Sequence, residues 1–562
     1  MTRTRKALAV VGTAGLAVLL ASAVLAPPRA LRLRQPDWRP PGAVVRGVFH
    51  VHTTRSDGTG TVEEVAGAAA RAGLQFVVFT DHGDATRPPE PPRYLSGVLC
   101  VDGVEISTSG GHYAVVGLPA SPYPLAGEPR DVVEDVARLG GFGVVTHPYS
   151  AKPGLSWTGW DTAFDAIEWA NADSEWRDES AGRLARALVT YPFRSAETLA
   201  WLLDGHEALQ RWDRLATSRR VVALAGADAH ARFGSPGRSD PYEGRALLRL
   251  PSYESSFRTF SLHVSLPAAL SGRAADDGWA LVEAIRAGHL HTVVDARAAP
   301  AAFEFAAHAG DETAAEGDGL PNAGPVVFRV RSNAPVYSDV ILFRDGREVH
   351  RVTRQSLVYA TDKPGTYRAE VRLGGGSRRQ VPWIVSNAIV LGTTPPRGAG
   401  PEPVVETVQA LSPARWKSER DPRSGGEVHA TPGGVMLKFR LARGAPAGQY
   451  SAIAAPVSIP PGADAIAFDV MAERPMRVSV QVRVPEGDEG ERWQRSVYAE
   501  PSSRLVVVPI AQMTPAGTTR TPTPRAGAVT SLLFVVDTIN TAPGTSGAIA
   551  FADVRLVKLR QP

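Results

Sequence analysis

Histidines and carboxylates recur at the ends of apolar runs through the first half of this chain, and that recurrence constrains its fold more than any other feature. The first case is His50-Val51-His52, which closes the run Val44 to Phe49 and is followed by Asp57. A run of this kind reads as a buried strand, and side chains at i and i+2 of a strand share a face. Two imidazoles and a nearby carboxylate on one face can grip a divalent ion. The rest of the chain must then fold so that further ligands arrive at the same place.

Further strands are predicted at Gln75–His82, Val98–Ile106, His112–Leu118, Phe142–His147, Ala166–Asn171 and Val221–His230. Thr61-Val62-Glu63-Glu64 has the pattern of a capping box and predicts a helix to about Ala72, ended by Gly73. Asp131–Leu139, Ala196–Leu209 and Trp279–Ala287 read as further helices. Strands alternating with helices predict an α/β domain over residues 44–300 with a parallel sheet, and seven strands suggest barrel-like closure. In a parallel barrel the C-terminal strand ends share one face. Those ends carry Asp81 and His82, Glu105, His147, and Asp228 and His230, while His112 opens its strand and is expected to reach the site from the preceding loop. One histidine at a strand end is ordinarily a hydrogen-bonded structural residue, and one Asp or Glu there ordinarily caps the next helix. Six of the chain's 13 histidines gather at these ends. With the acidic residues they would crowd like groups together unless cations sat among them.

Composition narrows the chemistry. Cys100 is the only cysteine, so thiolate metal sites and an intramolecular disulfide are excluded. A net charge of +4, without a basic patch interleaved with aromatics, argues against a nucleic-acid partner. At 562 residues the chain is too long for one core. Arg3, Arg5 and Lys6 precede the uncharged stretch Ala7 to Ala26, in which Ala21-Ser22-Ala23 could be cleaved. Residues 1–43 are therefore expected to be a signal peptide or transmembrane anchor with its linker, leaving an extracytoplasmic protein, membrane-anchored or secreted. After Pro300 short strands separated by turns predict an antiparallel sandwich over 301–392. A Pro/Gly linker follows at 393–403, and then a strand-rich segment at 404–562.

The stretches HVHTTRSDG, TDHGD, GVEIS, THP and GADAH, in that order, resemble the metal-binding motifs of the polymerase and histidinol phosphatase (PHP) family of metallohydrolases. The likeness spans roughly residues 44–297, and the exported setting with trailing β-domains looks like the branch that includes carbaryl hydrolases. The resemblance implies a distorted (βα)7 barrel and two or three divalent ions (Zn, Mn or Fe). It implies a first ion on His50, His52, Glu105 and Asp228. Glu105 would bridge to a second, shared with His112 and His147, and a third would lie on Asp57, His82 and His230. Residues 365–387 resemble an immunoglobulin-like β-sandwich, and 540–556 resemble galactose-binding-like jelly rolls. Such jelly rolls often bind carbohydrate through aromatics, for which Trp493 and Tyr498 are the candidates.

Closely held divalent ions acidify a water between them, and the hydroxide attacks a phosphorus or carbonyl centre. The expected function is an exported metal-dependent hydrolase, foremost a phosphoesterase, acting on a small anionic ester. A carboxylester or carbamate hydrolase with the same site and an inactive glycan-binding surface protein are the alternatives. Asp81 is expected to orient a ligand or to act as the catalytic acid. Arg55 and Arg232 are expected to meet an anionic substrate, since guanidinium pairs bidentately with phosphate. Trp157 and Trp160 are expected to wall the site.

Overall fold

A computed structural model describes residues 24–152, 154–176, 179–234, 246–321, 324–374, 381–393, 404–444, 448–485 and 490–560. Seven strands form a barrel: β1 (Ala43–Val51), β2 (Phe76–Phe79), β3 (Val98–Thr108), β4 (Gly111–Val116), β5 (Phe142–Val145), β6 (Ala166–Asn171) and β7 (Val222–Ala229). They pair in that order, and β1 pairs with β7 to close the ring. The lining is apolar, with Phe49, Phe76, Leu99, Phe142 and Leu224 all buried.

The expected α/β class, a (βα)7 barrel, is corrected by this topology. Strands β3 and β4 form an antiparallel hairpin, and β4 and β5 are also antiparallel. Among the described residues no helix lies between Phe79 and Val98 or between Val145 and Ala166. The reason is local. Pro88, Pro89, Pro91 and Pro92 occupy the first connection and Pro148, Pro153 and Gly154 the second, and proline breaks a helix by removing an N–H and crowding the preceding turn. The hairpin turns at Gly111, whose φ of 107° suits glycine alone. The chain is therefore predominantly β.

The helices that do form follow their sequence signals. Helix α1 (Val62–Arg71) has the capping box: Thr61 Oγ1 accepts from the Glu64 N–H, and Glu64 accepts from the Thr61 N–H. Such a cap contributes about 1 kcal/mol. Helix α2 (Pro129–Arg138) packs by β4 and β5. After β6 come α3 (Ala181–Thr190), α4 (Ser195–Leu202) and α5 (His206–Ala216); the single helix expected over 196–209 breaks at Leu203–Gly205. Helices α6 (Tyr253–Phe257) and α7 (Ala274–Ala287) follow β7.

The sheet does not stop at the barrel. Strand Ser261–Leu266 pairs with β1, strand Leu290–Val293 pairs with it in turn, and Ile384–Ser386 adds to that. The last belongs to a sandwich over 303–391, so the composition change at Pro300 marks no break in the sheet. Residues 24–84, 88–119 and 128–393 form one compact unit; 85–87, 120–127 and 404–560 form a second. Most of the expected linker lies outside the described residues. The second unit is a sandwich of two six-stranded sheets. Phe468, Phe534 and Phe551 sit in its core, the last two stacked with centroids 3.9 Å apart.

Among the described residues no helix is long and apolar enough to cross a membrane. The apolar stretch from Ala7 lies, up to Ala23, outside the described residues.

Candidate metal centre

All nine residues expected as ligands converge at one rim of the barrel. At its centre is Glu105 of β3, which is 1% exposed. Glu105 Oε1 lies 3.1 Å from His147 Nε2, 3.3 Å from His50 Nε2 and 3.4 Å from His112 Nδ1. Its Oε2 lies 3.3 Å from both His52 Nε2 and His82 Nδ1. Asp228 Oδ1 stands 3.3 Å from His50 Nε2, 3.4 Å from His52 Nε2 and 3.5 Å from His230 Nδ1. Asp57 Oδ1 stands 3.2 Å from His230 Nε2 and 3.8 Å from His82 Nε2.

The reversed direction of β4 explains His112. Because β4 runs antiparallel to β3, its beginning lies beside the end of β3, with Ser107 opposite His112. His112 reaches the rim from the strand itself, not from the loop before it.

The backbone bends to aim these groups. The pairing of β1 skips from Val48 to Val51 on the β2 side and from Phe49 to Val51 on the β7 side, so His50 sits in a bulge with φ of 66°. A bulge redirects a side chain out of the regular alternation. His147 and Asp228 are left-handed as well, with φ of 32° and 45°. Each such position costs on the order of 1–3 kcal/mol and persists only where the surroundings fix it.

Four subsets bring one atom per residue within 4.8 Å of one another: His52, Asp57, His82 and His230; His50, His147 and Asp228; His50, His52 and Glu105; and His82, Glu105 and His112. The grouping differs from the expected one in that His82 belongs to two subsets, and His147 joins His50 and Asp228. The buried nitrogens His50 Nε2, His52 Nε2 and His112 Nδ1 make no hydrogen bond, although buried polar groups are ordinarily satisfied. Lone pairs collected around carboxylates in this way fit divalent ions of the Zn, Mn or Fe kind.

The opposite ring nitrogens are held. His50 Nδ1 is 2.7 Å from Glu168 Oε1, His147 Nδ1 is 3.1 Å from the Leu155 carbonyl, and His230 Nδ1 is 2.8 Å from the Asp228 carbonyl. Such contacts fix the tautomer and leave the other nitrogen for a metal.

Charge in the metal-free chain is balanced by protons. Burial opposes the imidazolium at His50, but Asp228, Glu168 and Glu105 outweigh it and raise His50 well above the histidine range. At His230 burial is likewise outweighed, by Asp228 and Asp57, and the group rises to about 10. His82 falls to about 3, mainly by burial. Burial would raise Glu105, yet His50, His112 and His82 hold it well below the carboxylate range.

The residues expected to act on substrate are placed differently. Asp81 accepts from the Thr53 N–H at 2.7 Å, the Thr53 hydroxyl at 2.8 Å and the Ser56 hydroxyl at 2.7 Å. It braces the 53–57 loop and is buried, which suits support rather than proton delivery. Arg55 pairs with Asp102 at 2.9 Å and with Glu90. Arg232 Nη1 is 3.8 Å from Asp57 Oδ2. Trp157 is buried against Tyr113 and Phe164, and Trp160 lies against Tyr149 and Arg211.

A cavity of about 310 Å³ borders His147 and Glu168. Tyr149, Asn171, Glu175, Asp204 and Glu207 are among its walls, and among the described residues no lysine or arginine lines it. Sequence reasoning missed Glu168, which stands three residues before Asn171 on β6 within Glu-Trp-Ala-Asn; its only signal was a charged residue inside an otherwise apolar strand.

No family model matches the chain, and no curated protein does. Among solved structures, a family 11 carbohydrate-binding module from Clostridium thermocellum in complex with a β-1,3-1,4-mixed-linked tetrasaccharide is 14% identical. That match covers 27% of this chain and 97% of the module, with a TM-score of 0.23. A family 29 carbohydrate-binding module is 12% identical over 27% of this chain and 91% of its own, with a TM-score of 0.18. An exo-β-agarase is 9% identical over 27% and 24%, with a TM-score of 0.20. These partial likenesses are to carbohydrate-binding modules and an agarase; the phosphoesterases of the PHP family expected from the motifs are not among these three.

Of the aromatics expected to meet carbohydrate, Trp493 is in the core of the second unit, its Nε1 donating to the Thr521 carbonyl at 3.1 Å. Tyr498 is half-buried.

Proposed function

We propose that this chain is a metal-dependent hydrolase acting on an uncharged ester or carbamate. The observation that carries the reading is the Glu105 carboxylate, ringed by five imidazole nitrogens within 3.4 Å. His50, His52, His147, Asp228 and Glu105 would hold one part of the metal cluster, and His52, Asp57, His82 and His230 another, with His112 beside Glu105 and His82. When bound, divalent ions supply Lewis acidity and an acidified water for attack on an acyl centre. The chain's own share is preorganisation. The buried carboxylates and tautomer-fixing contacts hold the imidazole lone pairs in place before the reaction, so no reorganisation is needed during it.

The bond class follows from charge. Among the described residues, a phosphate entering the cavity beside His147 would meet Glu175, Asp204 and Glu207 with no guanidinium on the wall, while Arg55 is committed to Asp102 and Glu90 and Arg232 lies against Asp57. A neutral acyl group meets no such repulsion. The test is a panel of aryl acetate, aryl carbamate and aryl phosphate substrates, assayed with and without added metal. Metal-dependent turnover of the uncharged substrates is expected, abolished by His52→Ala and Asp228→Ala. Turnover indifferent to metal and to both substitutions would end the hydrolase reading, and a preference for phosphates would end the choice of bond.

Carbohydrate binding by the second unit is a second reading, carried by Tyr498, which lies 6.5 Å from Tyr123 between ring centroids with Arg504 5.7 Å over its ring. Retention on immobilised mixed-linked β-glucan, lost in Tyr498→Ala, is the expected result; no retention refutes it.

A further inference from the structure

We propose that Glu168 is a positioning residue that presets the triplet His50, His147 and Asp228 for metal. The role rests on the hydrolase reading above. Both carboxylate oxygens of Glu168 are engaged, and the side chain is wholly buried. Oε1 accepts from His50 Nδ1 at 2.7 Å. Oε2 accepts from the His147 backbone N–H at 2.8 Å and from Asn171 Nδ2 at 2.8 Å. One carboxylate thereby sets the ring of one ligand, on β1, and the backbone of another, just after β5.

Each contact has a defined effect. With its Nδ1 proton given to Glu168, His50 presents the Nε2 lone pair toward Glu105 and Asp228, 3.3 Å from each. The bond to the His147 N–H supports a backbone whose φ of 32° a histidine does not adopt without help. The third member of the triplet enters through β7. A Cβ added at Gly226, two residues before Asp228, would stand 1.7 Å from Glu168 Oε1, so the missing side chain there is what gives the carboxylate its place. Glutamine is nearly isosteric but cannot replace it. Its amide would turn a donor toward either the His50 Nδ1–H or the His147 N–H, both of which need an acceptor.

The experiment uses the full chain loaded with cobalt(II), read by visible absorption, by metal equivalents and by chelator competition. Circular dichroism of the metal-free protein controls for folding. Glu168→Gln is expected to weaken part of the bound cobalt about 10- to 100-fold, the loss typical of a residue that supports a ligand, and to change the absorption bands. Glu406→Gln, in the second unit and paired with Arg560, retains the wild-type spectrum. Gly226→Ala, which displaces the carboxylate without removing its charge, gives the same loss and decides the matter if Glu168→Gln does not fold. Wild-type affinity and spectrum in a folded Glu168→Gln or Gly226→Ala protein would overturn the role of Glu168 while leaving the hydrolase reading standing. A wild-type chain that binds no cobalt overturns both.

Discussion

Thr53 gives both its backbone N–H and its hydroxyl to Asp81, at 2.7 and 2.8 Å, and so ties the loop after β1 to the end of β2. Ser56 adds a third donor, and the next residue is Asp57, one of the clustered carboxylates. Asp81 therefore acts on the metal-binding cluster through the loop it braces. In Asp81→Asn the amide nitrogen faces a donor, which costs about 1–3 kcal/mol for a buried group left unsatisfied. Thermal unfolding should show this loss. Turnover should fall with the retained metal, while the pH–rate profile of the metal-loaded fraction keeps its shape; a lost limb would instead mark Asp81 as the proton donor.

Glu105 serves more of the cluster than any other group, so its removal should be more damaging than that of a supporting residue. Glu105→Gln keeps the shape but withdraws the charge that five imidazoles share. Elemental analysis should find most of the metal gone, and activity should fall by more than the roughly 100-fold upper range for supporting residues.

A pH effect is expected away from the metal centre. His263 is buried opposite Arg46 on one neighbouring strand and His291 on the other. Burial first, then His291 and Arg46, hold it well below its ordinary 6.5. Below that pH the unfolded chain takes up a proton that the folded chain refuses, so stability falls with acidification and is level above it. His263→Phe should gain on the wild type by up to about 1.4 kcal/mol per pH unit below 6.5. Denaturant unfolding at pH 7.5 and 5.5 checks this, and a constant difference between the two proteins would refute it.

Arg368 joins the sandwich over 303–391 to the barrel. Its guanidinium is bidentate to Asp213 of α5, at 2.6 and 2.9 Å, and reaches Glu370 at 2.7 Å. Breaking a buried ion pair on one side typically costs about 3–5 kcal/mol. Arg368→Met should lower the unfolding midpoint accordingly, and adding Asp213→Leu should recover part of the loss, since the methionine then faces only Glu370, which keeps its pairing with Arg372.

The clustering of the nine residues was legible because they lie in short motifs beside apolar runs, and seven such runs do close a barrel. The class was not legible, because a general alternation of strands and helices was read as a parallel barrel, while the proline-rich connections 80–97 and 146–165 hold no helix among the described residues. His112 illustrates the cost: placed by a parallel rule it seemed to start at the wrong end, and only the hairpin at Gly111 returns it to the rim. Glu168 carried no motif, since its partners, His50 and the His147 N–H, are 118 and 21 residues away in sequence. Arg55 looked available from its neighbours, and nothing local announced Asp102 or Glu90.

The sheet that runs on from β1 through Ser261–Leu266 and Leu290–Val293 to Ile384–Ser386 has a practical consequence. Shortening the chain at Pro300, where the composition invites a cut, would strip the covering strand from Leu290–Val293 and leave a bare hydrogen-bonding edge, which promotes aggregation. It would also remove Asn387, whose amide bonds both the N–H and the carbonyl of Ala223 on β7, the strand that carries Asp228. The smallest portable piece that keeps the barrel intact therefore ends near Leu391, and the sandwich over 303–391 is part of the barrel's own wall rather than an appendage.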